Sequence, residues 1–182
     1  MRIVDFGLIW LTDHNKFGLG QTMTRGILKI IFSFVFLSGL SLAQSNSGYT
    51  PVTEFDPARN PTKDLEKTIE EVKNTNRRII LDVGGEWCIW CHRIDYFIEN
   101  NGDIKNFIND NFIVLKTNFS KDNQNKEFLS KYPEIPGYPH FFVLDKNGKL
   151  LHSQDTGLLE EGKGYSYQKM MAFLKKWAPS KN

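Results

Sequence analysis

The 182 residues hold just two cysteines, and both fall in Glu86-Trp87-Cys88-Ile89-Trp90-Cys91-His92. A continuous apolar run with a single acid, Asp82, occupies Arg78 to Val83 just ahead of them, and a helical pattern from about Ile89 to Asn100 follows. That order reads as a strand buried on both faces running into a helix. The spacing then puts the Cys88 sulfur at the helix N-terminus, where unpaired backbone N–H groups and the helix dipole favour a thiolate over a thiol. Cys91 lies one turn further along and inward, close enough to close a small disulfide. A pair so placed can attack a disulfide through the first sulfur and resolve the mixed disulfide through the second. A chain of this length buries a core without covalent staples, so the cysteines are free for chemistry.

The rest of the chain alternates helix and strand patterns. Thr62 caps a helical pattern with Leu65, Ile69 and Val72 on one face. Ile104, Phe107 and Ile108 mark a short helix, Phe112 to Thr117 a strand, and Asn123 to Lys131 another helix, closed off near Pro133 and Pro136. His140 to Leu144 is a strand, Asp145-Lys146-Asn147-Gly148 a hairpin turn and Lys149 to His152 its return. Tyr167 to Trp177 is a final amphipathic helix. This pattern predicts an α/β fold, a central mixed β-sheet flanked by helices, in one domain over residues 61–182.

Residues 44–60, rich in Ser, Asn, Gly, Thr and Pro, read as a linker or loosely packed N-terminal arm. Ahead of them, residues 27–43 are almost wholly apolar, with Arg25 and Lys29 at the front and Ser41-Leu42-Ala43 at the end. This is the pattern of a secretory signal peptide, so residues 1–43 are expected to be a leader cleaved after Ala43, with Met23 as an alternative start. The competing reading is an uncleaved anchor, but the run from Ile30 to Ala43 is well short of the roughly 20 residues that span a bilayer. No stable membrane insertion is therefore expected after cleavage. The formal charge of +2 falls to zero without the leader, which gives nucleic acid and anionic membrane surfaces no basic field to meet.

Read from the residues alone, the cysteine pair leaves three chemistries open. One is a redox dithiol. The second is covalent haem, since Cys88-x-x-Cys91-His92 is also the c-type attachment pattern and Met170 or Met171 could serve as distal ligand. The third is half of a metal site completed by His92 or His140, although zinc wants four ligands and only two cysteines exist. The strand before Cys88 is unexplained by the haem reading.

The stretch from Ile79 to Leu151 resembles the thioredoxin superfamily. Ile80-Leu81-Asp82-Val83-Gly84-Gly85-Glu86-Trp87-Cys88 is similar to the family's strand leading into the active-site tryptophan and first cysteine, with Asp82 six residues before Cys88. Phe112 to Asn118 resembles the central strand, Gly137-Tyr138-Pro139-His140 the cis-proline segment, and Asp145 to Lys149 the turn after it. The stretch also resembles exported members such as the periplasmic reductase domain of DsbD-type proteins. Ile89-Trp90 departs from the dipeptides of thioredoxins and protein disulfide isomerases, His92 replaces a lysine, and Gly84 replaces an aromatic.

The resemblance implies a thioredoxin-like fold and a thiol–disulfide oxidoreductase acting, without a bound cofactor, on protein disulfides. Cys88 would be the nucleophile, Cys91 the resolving thiol and Asp82 the acid–base partner of Cys91. Trp87, Trp90, Tyr138 and a cis Pro139 would meet the substrate, and Lys116 and His92 would tune the site, Lys116 as partner of Asp82. An unidentified redox partner and an exported, periplasmic or secreted, location complete the expectation, with the reductase direction favoured. The alternative is a thioredoxin-fold binding or assembly module in which the dithiol is secondary.

Overall fold

A computed structural model describes residues 48–180, so the expected leader over 1–43 lies outside the described residues. Helix α1 (Pro61–Thr75) begins ahead of the expected Thr62 cap. Asn60 is its N-cap, accepting from the Lys63 N–H at 3.1 Å, and Pro61 sits at the first position, where a missing N–H leaves no bond unmade. Strand β1 (Arg78–Gly84) follows, then helices α2 (Ile89–Glu99) and α3 (Gly102–Asn111), strand β2 (Phe112–Asn118) and a single helical turn α4 (Lys126–Leu129). Strands β3 (His140–Leu144) and β4 (Leu150–Asp155) form the expected hairpin, and its turn is held by two N–H bonds to Asp145 Oδ1 and by Gly148 at φ 80°. A 3-10 turn (Thr156–Leu159), a small hairpin of β5 (Glu160–Glu161) and β6 (Gly164–Tyr165) and helix α5 (Tyr167–Trp177) complete the chain.

The main sheet has the order β2-β1-β3-β4. β1 runs parallel to β2, with Asp82 opposite Lys116, and antiparallel to β3, with Asp82 opposite Phe141. Alternation along β1 divides the core in two. Ile79, Leu81 and Val83 join Ile113, Leu115, Phe142 and Leu144 on the face covered by Val72 of α1. Ile80 joins Phe112, Phe141 and Val143 on the other face, under Ile94 of α2, Ile104 and Ile108 of α3 and Met170, Phe173 and Leu174 of α5. Asp82 belongs to this second face.

Three regions depart from the sequence reading. The helix expected over Asn123–Lys131 shrinks to Lys126–Leu129. Asn125 takes a left-handed conformation (φ 48°), its N–H bonds to Asn123 Oδ1 at 2.9 Å and its amide to Asn118 O at 2.7 Å, so side-chain bonds displace the helical ladder. β4 continues past His152 to Asp155, and the β5–β6 hairpin has no counterpart in the sequence reading. The arm is not loose where it is described. Val52 and Phe55 are buried, Val52 O accepts from the Lys116 N–H at 3.2 Å, and Tyr49 shares a hydroxyl bond with Thr68. Among the described residues, no helix is long and apolar enough to cross a membrane.

Candidate active site

β1 ends at Gly84, a short turn closes through the Cys88 N–H to Gly85 O bond at 2.9 Å, and α2 starts at Ile89. Cys88 is therefore the N-cap. Its backbone is extended (φ −92°, ψ 104°) and its sulfur accepts the Cys91 N–H at 3.2 Å. Cys88 and Cys91 are joined in a disulfide with Cα atoms 5.2 Å apart. On reduction, the N–H bond and the positive end of α2 stabilise negative charge on the first sulfur. Cys88 is 4% exposed and Cys91 is fully buried, so what access exists is to the first sulfur.

Asp82 is 2% exposed, and its Oδ1 has no hydrogen-bond partner. Burial pushes its carboxyl up to about 7; the nearby Lys116 charge opposes the rise and Asp95 adds to it. A carboxyl with that value takes and returns protons near neutrality. Lys116 lies beside this acid and its charge reaches it, but its ion pair is made elsewhere. Strand register puts it beside Asp82, yet its ammonium pairs with Asp95, one turn after Cys91 on α2, and stands 4.5 Å from the centre of the Phe55 ring. Asp95 is a site residue that sequence reasoning missed, because it reads as one more polar residue on an amphipathic helix.

The Tyr138–Pro139 peptide is cis, as expected. The Pro139 carbonyl accepts a hydrogen bond from Thr156 Oγ1, which fixes the loop from the side of the 3-10 turn. Trp87 is 58% exposed, its indole N–H donates to Phe119 O at 2.7 Å, and its ring meets Tyr138 edge-on at 5.7 Å. Phe119 stacks on Tyr138 at 4.7 Å. Trp87, Tyr138 and Phe119 thus form one aromatic wall. Gly85 permits it, because a Cβ there would lie 2.5 Å from Trp87 Nε1. Burial also raises the Tyr138 phenol.

Trp90 is half-buried and adjoins both the cysteine pair and the core. It packs against the core, edge-on to Tyr165 at 5.9 Å, with the Arg93 guanidinium 4.4 Å from its ring centre. Tyr165 donates to Trp90 O at 3.4 Å. His92 turns back to the loop before Cys88 and donates from Nε2 to Glu86 O at 2.8 Å, since a carbonyl only accepts. His92 therefore ties the first turn of α2 to the loop before Cys88. Phe55, Phe119, Thr156 and Tyr165 also border the site without a sequence signal. Each is a single residue in a stretch whose periodicity says nothing about a cleft.

Residues 60–146 match the sequence profile of a family described as thioredoxin-like. The chain is 25% identical over 110 residues to the disulfide bond reductase DsbH of Chlamydia pneumoniae, covering 56% of this chain and 64% of that protein. It is 21% identical over 149 residues to the thiol:disulfide interchange protein DsbD of Actinobacillus pleuropneumoniae serotype 5b (strain L20), covering 75% of this chain and 25% of that protein. The chain thus spans less than two thirds of the length of either curated relative. Among solved structures, a disulphide isomerase from Xylella fastidiosa Temecula1 shares the fold, with a TM-score of 0.58 and 22% identity over 70% of this chain and 98% of that one.

Proposed function

From the premise that residues 60–146 form a thioredoxin-like domain of the DsbD- and DsbH-like kind, we propose that the protein reduces protein disulfides outside the cytoplasm, without a bound cofactor. The observation that carries this reading is the Cys88–Cys91 pair at the head of α2. In the reduced protein, the Cys88 thiolate attacks one sulfur of a client disulfide, and the S–S electron pair leaves with the other client sulfur. Cys91, deprotonated by Asp82, then attacks Cys88 Sγ in the mixed disulfide. The second client sulfur leaves as a thiolate and takes up a proton. The client gains two electrons and the enzyme holds the disulfide. A dithiol-bearing redox partner returns it to the reduced state.

The client's backbone runs along the cis Tyr138–Pro139 segment as an added strand, with Trp87 and Tyr138 as the apolar contact. The reductase direction draws support from the name of the DsbH relative, and the export reading from the leader pattern over residues 1–43. The test is catalytic reduction of insulin by the purified chain with a thiol donor, together with the equilibrium potential of the pair. The reading expects turnover and a potential near thioredoxin's, about −270 mV, whereas a value near about −120 mV would make the protein an oxidant. No turnover would leave it a thioredoxin-fold binding module.

A further inference from the structure

Phe55 lies in the arm, outside the 60–146 stretch that matches the family, and is only 3% exposed. It belongs to neither core beneath the sheet faces. Its cluster consists of Cys88, Cys91 and the adjoining Trp90 and Tyr138. Gly84 explains the fit, because a Cβ built there would fall 2.5 Å from Cys91 Sγ and 3.0 Å from Phe55 Cζ. Ring and sulfur close on one another across the space that a side chain at the end of β1 would take. Three bonds bracket the ring from different elements. The Phe55 N–H donates to Glu86 Oε1 at 3.4 Å, Val52 O accepts from the Lys116 N–H at 3.2 Å, and Pro57 O accepts from Asn123 Nδ2 at 2.9 Å. The Lys116 ammonium over the ring adds a cation–π contact.

We propose that Phe55 is a positioning residue that closes the solvent route to Cys91 and so confines thiol–disulfide exchange to Cys88. The inference deepens the oxidoreductase reading and rests on it. An incoming thiolate can break the enzyme's disulfide at either sulfur. Attack at Cys88 Sγ forms the mixed disulfide there and sends the electron pair to Cys91, whose thiolate then takes a proton at the Asp82 end of the strand. Attack at Cys91 Sγ would leave the client on a sulfur walled in by Phe55 and Gly84. Phe55 makes the first route the only one.

The test uses the full chain, fully reduced, with Cys91 as its single thiol. Iodoacetamide labelling of Cys91 is timed in Cys88→Ser and in Cys88→Ser/Phe55→Ala at one pH, below the onset of thermal unfolding of both. Removing the ring should speed labelling about tenfold or more, because access no longer waits for local opening. Cys88→Ser/Phe55→Leu, which refills the volume, should return to within about threefold of Cys88→Ser by the same logic. A parallel measurement maps glutathione adducts on the oxidised two-cysteine proteins. Adducts should sit on Cys88 alone with Phe55 present and spread to Cys91 in Phe55→Ala. If Phe55→Ala fails to fold, Phe55→Val replaces it and should give a smaller rise of the same sign. Equal labelling rates in the folded variants, or Cys91 adducts with Phe55 present, would overturn the proposal. Failure of the unmutated chain to turn over insulin would instead overturn the functional reading and leave the labelling comparison standing.

Discussion

The two faces of the sheet differ in kind. On the α1 side, β1 contributes Ile79, Leu81 and Val83 to a mostly apolar layer whose polar strand residues are Thr117 and His140, both buried, with His140 Nε2 bonded to Ser153 Oγ at 2.8 Å. On the α2 side, the same strand contributes Ile80, then Asp82, then Gly84: an apolar anchor, a buried acid and a missing side chain. One strand thus turns an apolar side chain to one face and a buried acid to the other at consecutive positions, Leu81 and Asp82. Each face buries polar atoms without a partner, Thr117 Oγ1 and His140 Nδ1 on the first and Asp82 Oδ1 on the second, but only the second brings an ionisable carboxyl beside the cysteine pair.

The largest way to break this division is from the apolar face. Phe142→Ala deletes a fully buried ring stacked on Tyr132 and should lower unfolding free energy by about 4 kcal/mol, while the Cys88–Cys91 potential stays put. Denaturant midpoints and redox equilibration of the same sample check both halves. A shifted potential would mean that the faces are coupled.

Asp82→Asn attacks from the other side. In Asp82 the folded value, about 7, exceeds the ordinary one, so the folded chain binds the extra proton. Burial carries no penalty below about pH 4, and stability then falls by up to about 4 kcal/mol as pH rises through 7. Asn removes that fall, so the variant should gain on the parent with rising pH in paired denaturation series. It should also slow decay of the mixed disulfide about 100-fold near pH 7, read by stopped flow, while leaving the first attack intact.

A smaller effect is expected at the rim. Thr156→Val removes the donor to the Pro139 carbonyl and should lower stability by about 1 kcal/mol, with Thr156→Ser restoring it. In insulin assays KM should rise more than kcat falls if the loop meets substrate backbone as proposed; an effect on kcat alone would contradict that role. Smallest of all, Glu99→Gln breaks an exposed pair with Lys105 and should change stability by under about 0.5 kcal/mol, which makes it a control for the other three.

Much of this was legible in the residues. The strands around Asp82, Phe112–Asn118 and His140–Leu144 are long apolar runs, and the cysteine spacing needs a helix start, so the sheet and the dithiol followed from pattern. The cis Pro139 came from resemblance alone. Asp95 was hidden because its surroundings come from β2, and Phe55 because one aromatic among Ser, Thr and Pro carries no period. Trp90 looked like Trp87 in sequence. They part because position 87 lies in the loop before the helix and position 90 in its first turn, facing Tyr165.

The division between an accessible and a sealed sulfur is tested most directly by trapping. Cys91→Ser and Cys88→Ser are each expressed, pulled down and run on non-reducing gels. Cys91→Ser should hold stable mixed disulfides with client proteins, because attack proceeds through Cys88 and resolution is lost, while Cys88→Ser should hold few or none. Equal trapping by both, or trapping mainly by Cys88→Ser, would reverse the roles of the two sulfurs and contradict the account.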